Sequence, residues 1–173
     1  MAGLAFSSDV AKTLVSAYRT PDMVRQRSAT LQRLHLIAGE RVIDIGCGPG
    51  FLCKSMAAAV GPPGIVIGID ISEDLIDFAT NQKGSDPIEY RVGNATALPV
   101  DSAQFDIAVS TQVIEYVADT DAALHEMARV VRPGGRRALI VDTDFYRGWR
   151  PDELRTQFYG LLTVWPVFTS AGF

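Results

Sequence analysis

Val42-Ile43-Asp44-Ile45-Gly46-Cys47-Gly48-Pro49-Gly50, VIDIGCGPG at residues 42–50, is the stretch that decides the fold. A short apolar run carries an acid near its end and passes into three alternate glycines. Glycines at 46, 48 and 50 let the chain turn tightly and let a ligand approach the backbone at the carboxyl end of a strand. The spacing is G-x-G-x-G. A dinucleotide fingerprint, G-x-G-x-x-G, needs its third glycine at position 51, which is Phe51. That departure disfavours a nicotinamide oxidoreductase, and no G-x-x-x-x-G-K-[ST] phosphate loop is present either.

Working outward, short apolar runs alternate with helical stretches. The runs lie at 41–45 (RVIDI), 65–69 (IVIGI), 88–92 (IEYRV), 105–110 (FDIAVS) and 137–141 (RALIV). Runs of this length, bounded by Gly, Asp or Asn, suit strands buried on both faces of a parallel sheet. Between them, 51–60 reads as a helix stopped by Gly61-Pro62-Pro63-Gly64. Ser72 is placed to cap a helix over 75–81, with Glu73 and Asp74 in its first turn. Residues 119–131 read as a helix ending at Arg132-Pro133-Gly134-Gly135. Upstream, helices are expected over 9–18 and from Thr20, a cap with Pro21 at the first position, to about residue 36. The alternation gives an α/β architecture: a Rossmann-like, mostly parallel sheet with helices on both faces.

Length and composition fit one globular domain. The chain has 173 residues, 47% of them hydrophobic, and a formal charge of −4. An acidic chain without a Lys/Arg block does not bind nucleic acid through its bulk field, so no nucleic-acid partner is expected. Cys47 and Cys53 form no CxxC pair and have no His/Cys cluster around them, which predicts neither disulfide framework nor metal site. No basic-then-apolar leader opens the chain, and no apolar run nears the roughly 20 residues a membrane span needs. A cytoplasmic protein is expected.

The second run ends Gly68-Ile69-Asp70. An acid at that tip is placed to accept hydrogen bonds from both ribose hydroxyls of an adenosine ligand. A GxGxG loop followed by such an acid is a far stronger signal than either alone. With these elements in order, residues 20–145 resemble the class I S-adenosylmethionine-dependent methyltransferases, in particular the group containing ubiquinone/menaquinone-type and small-molecule enzymes. VIDIGCGPG is similar to the family's first motif and GIDIS to its second. VGNATALPV resembles the loop after the third strand, FDIAVSTQVIEYV the fourth strand and its loop, and VVRPGG the turn before the fifth.

The resemblance implies S-adenosylmethionine as cofactor and a small-molecule methyl acceptor. It implies that Asp44, Gly46, Gly48 and Gly50 surround the methionine end and that Asp70 binds the ribose. Ile71 would pack on the adenine, Asn94 and Ala95 would lie at its edge, and Gln112 near the substrate entrance. Position 94 is usually Asp in the family. Asn94 keeps one acceptor oxygen without the charge, so weaker binding is expected. Where relatives carry Glu-His in the fourth-strand loop, this chain has Glu115-Tyr116.

Transfer from a sulfonium needs alignment, exclusion of water and, for poor nucleophiles, a base. Glu115, Tyr116 and Tyr146 are the candidate bases or orienters; His35 and His125 lie in helices away from the strand ends. The rival reading is a non-catalytic protein of this fold that binds cofactor or a partner. The expected organisation is a helical lid over 1–36, a cofactor-binding core over 37–145 and a shortened segment over 146–173, all within one domain. A fifth helix is expected over 152–162, and the antiparallel hairpin that closes the family's sheet is expected to be missing. The last parallel strand would then be an open edge, covered by the aromatics of the C-terminal segment or by a second subunit.

Overall fold

The computed structural model describes residues 15–141, and residues 161–166 as backbone. Six strands form one sheet: β1 Arg41–Ile45, β2 Ile65–Asp70, β3 Ile88–Val92, β4 Phe105–Thr111, β5 Val131–Val141 and β6 Leu161–Pro166. Their order is β3-β2-β1-β4-β5-β6. The first five are parallel, and β6 runs antiparallel to β5. Four helices connect them: α1 Pro21–Leu34, α2 Phe51–Val60, α3 Glu73–Gln82 and α4 Thr120–Val130. A one-turn helix, Ile114–Tyr116, follows β4.

The central strands β1, β2 and β4 are largely apolar because both faces of the sheet are covered there. On one face Val42, Val66, Ile88 and Ile107 pack against Leu34 of α1, Met56 and Val60 of α2 and Ile76 of α3. On the other, Ile43, Ile45, Ile67 and Ile69 meet Met127 and Val130 of α4. Each such side chain contributes about 1.5–3 kcal/mol on burial. β1 lies at the centre, and the chain leaves it towards β2 on one side and is rejoined by β4 on the other. Ligands of open α/β sheets bind where the strand order reverses, outside the carboxyl ends. Here that point lies between β1 and β4.

Local signals account for several element boundaries. The Ser72 hydroxyl accepts from Leu75 N–H at 3.4 Å, as its position before α3 predicts, and the Asp119 carboxylate caps α4 by accepting from Ala122 N–H at 3.0 Å. Pro21 opens α1, but Thr20 does not cap it: its hydroxyl donates back to Ala17 O at 2.8 Å. His35, left-handed at φ 46°, ends α1.

Three expectations are corrected. The Pro-Gly-Gly after α4 does not separate helix from strand: α4 stops at Val130 and β5 begins at Val131. Register shifts between Phe105 and Ile107 of β4, so that residues 132–135 are absorbed as an irregularity within the strand. The Arg132 Nε–Asp106 ion pair at 2.5 Å pins that bulge. Next, residues 161 and 162, expected at the end of a helix over 152–162, lie in a strand. Finally, β5 is not an open edge, because β6 pairs along it from Arg136↔Pro166 to Val141↔Leu161. The run LLTVWP has the β-branched and aromatic content of a strand, and its Pro falls at the end, where an edge strand tolerates one. The second strand of a closing hairpin is not found among the described residues. Tyr146, Phe158, Tyr159, Phe168 and residues 9–14 of the helix expected over 9–18 lie outside them; of that helix, residues 15–17 are helical and the chain turns at 18.

Candidate functional site

The glycine loop leaves β1 with Gly46, Gly48 and Gly50 all at positive φ (76°, 53° and 76°). Two of the three are also packed too closely for a side chain. A Cβ at Gly46 would run into Val113, and one at Gly50 into the Tyr90 hydroxyl. Gly48 differs: the residue is buried, yet a Cβ there would meet only the Tyr18 hydroxyl, at 3.9 Å, so its demand for glycine comes from the backbone angle and not from packing. The loop is tied to β2 by Gly46 and Cys47 N–H donating to Ile69 O (2.7 and 3.0 Å).

Asp70 completes that tie. Its carboxylate accepts from Gly48 N–H at 2.8 Å and from Ser72 N–H at 2.9 Å. Burial raises its pKa, opposed by backbone N–H groups of Ser72, Gly48 and Ile71. Asp44, 2% exposed, sits on β1 one strand away. Among the described residues no backbone N–H donates to it; the Cys53 thiol donates to its Oδ2 at 3.2 Å. Burial pushes the Asp44 carboxyl up to about 7, the thiol bond pulling the other way and the Asp70 charge adding a little. Cys53, for which the sequence suggests no role, is thus a hydrogen-bond donor to that carboxylate.

A cleft of about 490 Å³, including space open to solvent, lies over Asp44. Its floor is Asp44, Gly46 and Cys47; one wall is Thr111 and Gln112 from the end of β4; Phe51 and Leu52 open α2 beside it. The opposite wall comes from upstream: Tyr18, then Met23, Gln26, Arg27 and Thr30 of α1. The Arg27 guanidinium lies 5.3 Å from the Phe51 ring centroid, with Arg19 at 5.8 Å, and Tyr18 stacks on the same ring at 6.3 Å. Arg27 Nη1 donates to Tyr18 O at 3.2 Å; among the described residues no carboxylate pairs with it. Burial, then the charges of Asp44 and Asp70, raise the Tyr18 pKa, so its hydroxyl stays a donor at neutral pH.

Of the residues expected from sequence, Asp44, Gly46 and Gln112 line the cleft. Asp70 reaches its edge through Gly48. Gln112 is held at φ +54°, a strained value for a side-chain-bearing residue, with its N–H donating to Ile140 O at 2.7 Å. Ile71, 60% exposed, and Asn94 lie on open surface beyond Asp70, past the ends of β2 and β3. Glu115 and Tyr116 are on the one-turn helix and are not brought to the cleft wall; Tyr116 is 69% exposed. Sequence reasoning missed Tyr18, Arg27 and Thr111. The Thr111 hydroxyl is buried without a protein partner and lines the cleft. Buried polar groups are normally satisfied, so an orphan facing a cleft marks a place for a ligand atom.

These features fit the cofactor that the sequence suggests: a glycine loop at positive φ tied to the Asp70 carboxylate, an orphan hydroxyl, and a buried acid lining the same cleft as an arginine. Comparison with known proteins gives the class. A model of the methyltransferase domain matches residues 43–139, more than half of the chain. The chain therefore belongs to the methyltransferase-domain family, the class I enzymes whose cofactor is S-adenosylmethionine. It is 32% identical over 140 residues to a demethylmenaquinone methyltransferase of Lactococcus lactis, covering 79% of this chain and 55% of that one. It is 41% identical over 101 residues to a ubiquinone biosynthesis O-methyltransferase of Sinorhizobium medicae, covering 57% and 40%. A crystal structure of a putative S-adenosylmethionine-dependent methyltransferase from Methanococcus maripaludis superposes with a TM-score of 0.72 at 19% identity, covering 88% of this chain and 76% of that one, which shows the shared fold. The chain spans about half the length of the curated relatives it matches.

Proposed function

We propose that this chain binds S-adenosylmethionine across the carboxyl ends of β1, β2 and β3 and transfers its methyl group to a small organic acceptor entering beside α1. The observation that carries the reading is the pairing at the carboxyl ends of β1 and β2: the Gly48 N–H of the glycine loop bonded to the Asp70 carboxylate, with a buried Asp44 on the neighbouring strand lining the cleft. The bound cofactor supplies a methyl group already activated on a sulfonium. The rest falls to this chain's residues.

Asp70 takes the ribose hydroxyls with the lone pairs its two backbone donors leave. Asp44 faces the ammonium of the amino-acid end, and Arg27, across the cleft, its carboxylate; an α-amino acid is a zwitterion, and the two side chains form its complement. α1 excludes water by laying Met23, Gln26 and Arg27 over the floor. The acceptor is aligned against Thr111 and Gln112. Quinone-precursor substrates, suggested by the names of the two relatives above, are compatible with the apolar Met23, Phe51 and Leu52 near the mouth. Of the candidate bases, Glu115 and Tyr116 do not line the cleft and Tyr146 lies outside the described residues.

The reading is tested by calorimetric titration with S-adenosylmethionine and S-adenosylhomocysteine, followed by a methyl-acceptor screen. Micromolar binding lost in Asp70→Ala supports it, and absence of binding to well-folded protein overturns it. Binding without turnover on any acceptor would favour the second reading, a cofactor-binding protein of this fold without activity. Asn94, which replaces the family's usual acid, is the feature that speaks for it.

A further inference from the structure

Asn94 begins a tight turn just past the end of β3, in which Ala97 N–H donates to Asn94 O at 3.0 Å. Its side-chain oxygen is already engaged: it accepts from Thr96 N–H and from the Thr96 hydroxyl, both at 3.0 Å. Chemistry fixes the amide orientation, because a backbone N–H can only donate and must face the oxygen. The amide nitrogen, with its two N–H donors, is therefore the end left for a ligand.

Where the base of a bound nucleoside lies follows from the sheet. Asp70 pairs in register with Val92, so the Asn94 turn sits one strand over from Asp70, on the side away from the cleft. A nucleoside anchored by its diol at Asp70 sends its amino-acid arm towards Asp44 and the cleft on the β1 side. Its base then lies on the β3 side, over the exposed Ile71 and Val92, with an edge towards Asn94. The 6-amino group of adenine is a donor and calls for an acceptor. An aspartate at position 94 would use one oxygen for the Thr96 turn and offer the other to that group. Asn94 offers N–H in its place.

We propose, on the basis of the cofactor reading above, that this site does not read the 6-amino group of the purine: the turn consumes Asn94's acceptor and presents a donor to that edge. The base is held by the apolar surface of Ile71 and Val92 and by the ribose anchor, and the site tolerates a purine with the 6-amino group removed. This makes Asn94 a specificity-determining residue through what it fails to accept.

The test is titration of the full chain with S-adenosylhomocysteine and with its 6-deamino analogue, which has hydrogen in place of the amino group. Wild type is expected to bind the two within about threefold of each other. Asn94→Asp keeps the turn, since its carboxylate still accepts from Thr96, and gains the missing acceptor. It is expected to tighten S-adenosylhomocysteine and to prefer it over the analogue by about tenfold, the worth of one charge-assisted hydrogen bond. A wild type that loses tenfold or more on removal of the amino group, or an Asn94→Asp protein whose preference does not widen, overturns the inference while leaving the cofactor reading intact. Failure of wild type to bind S-adenosylhomocysteine at all overturns both.

Discussion

Asp44 and Asp70 stand on the same face of neighbouring parallel strands, Asp44 in register with Gly68, yet their surroundings are opposite. Asp70 is clamped by two backbone N–H groups at 2.8 and 2.9 Å and is part of the frame that holds the glycine loop on β2. Asp44 is buried at the cleft floor with a thiol as its donor, and its carboxyl is pushed up to about 7. One acid is satisfied by the fold. The other is left poised, and what it lacks is a cation. The first therefore belongs to the rigid half of the site, where a nucleoside is positioned, and the second to the half whose charge is completed only by ligand.

That difference is open to attack by ligand truncation, using S-adenosylhomocysteine against 5′-methylthioadenosine, which keeps the nucleoside and lacks the amino-acid end. The largest effect is expected at Asp70. Asp70→Ala removes the ribose acceptor and orphans the N–H groups of Gly48 and Ser72. Affinity for both ligands should fall by about 100-fold or more, and the ligand-free protein should lose about 2–3 kcal/mol of stability. Calorimetry and denaturant melts check this. If Asp70→Ala weakened only the full-length ligand, or left stability unchanged, the division between frame and poised acid would be wrong.

Asp44→Asn comes next, with an effect on the full-length ligand alone: about 30-fold weaker S-adenosylhomocysteine at pH 8 and little change for 5′-methylthioadenosine, as expected for one charge-assisted contact in a dry site. The pH dependence has a defined sign. The folded pKa, about 7, lies above the ordinary value of 3.8, so the folded state holds the proton more tightly than the unfolded one. The stabilisation from this group is complete below pH 4 and is lost as pH rises through 7. Wild-type stability should therefore decline between pH 5 and 8, by a few kcal/mol at most, and Asp44→Asn should flatten that decline. Cofactor affinity should move the other way, rising over the same interval as Asp44 ionises to meet the ammonium. Parallel pH profiles in wild type and variant would remove Asp44 from both roles.

Much of the frame was legible in the sequence, and the reason is locality. The positive-φ turns at Gly46, Gly48 and Gly50 are demands of the loop's own backbone, the cap at Ser72 acts three residues on, and the buried strands announce themselves as short apolar runs. Asp70 is legible because the end of β2 falls where its run ends. The poised half was not. Its arginine and tyrosine come from the chain some twenty residues ahead of the glycine loop, and its orphan hydroxyl from β4; no spacing in the sequence says that α1 will lie against Phe51. Cys53 had no legible role, because no spacing in the sequence brings a thiol on α2 to the carboxylate of β1. The strand at 161–166 was hidden for the same reason. A short run after a predicted helix is ambiguous by itself, and the edge of β5 decides its conformation. The orientation of the Asn94 amide is set locally, by Thr96 two residues on, but only coordinates reveal which end it turns outward.

The smallest expected effect tests the wall contributed by α1. Arg27 lies over the Phe51 ring, and none of the described carboxylates neutralises it. Arg27→Gln keeps a polar side chain and the first carbons of the stem while removing the guanidinium and its charge. The prediction is about tenfold weaker S-adenosylhomocysteine, the cost of one partly solvated charge-assisted bond, and an unchanged 5′-methylthioadenosine affinity. Combined with Asp44→Asn, the two losses should add within experimental error, because the two side chains hold opposite charges at separate points of the same ligand. Strong coupling between them would instead mean that Arg27 acts by setting the protonation of Asp44. The full-length ligand would then be read by one electrostatic unit spanning the cleft, and the contrast between Asp44 and Asp70 would have to be redrawn with Arg27 on Asp44's side.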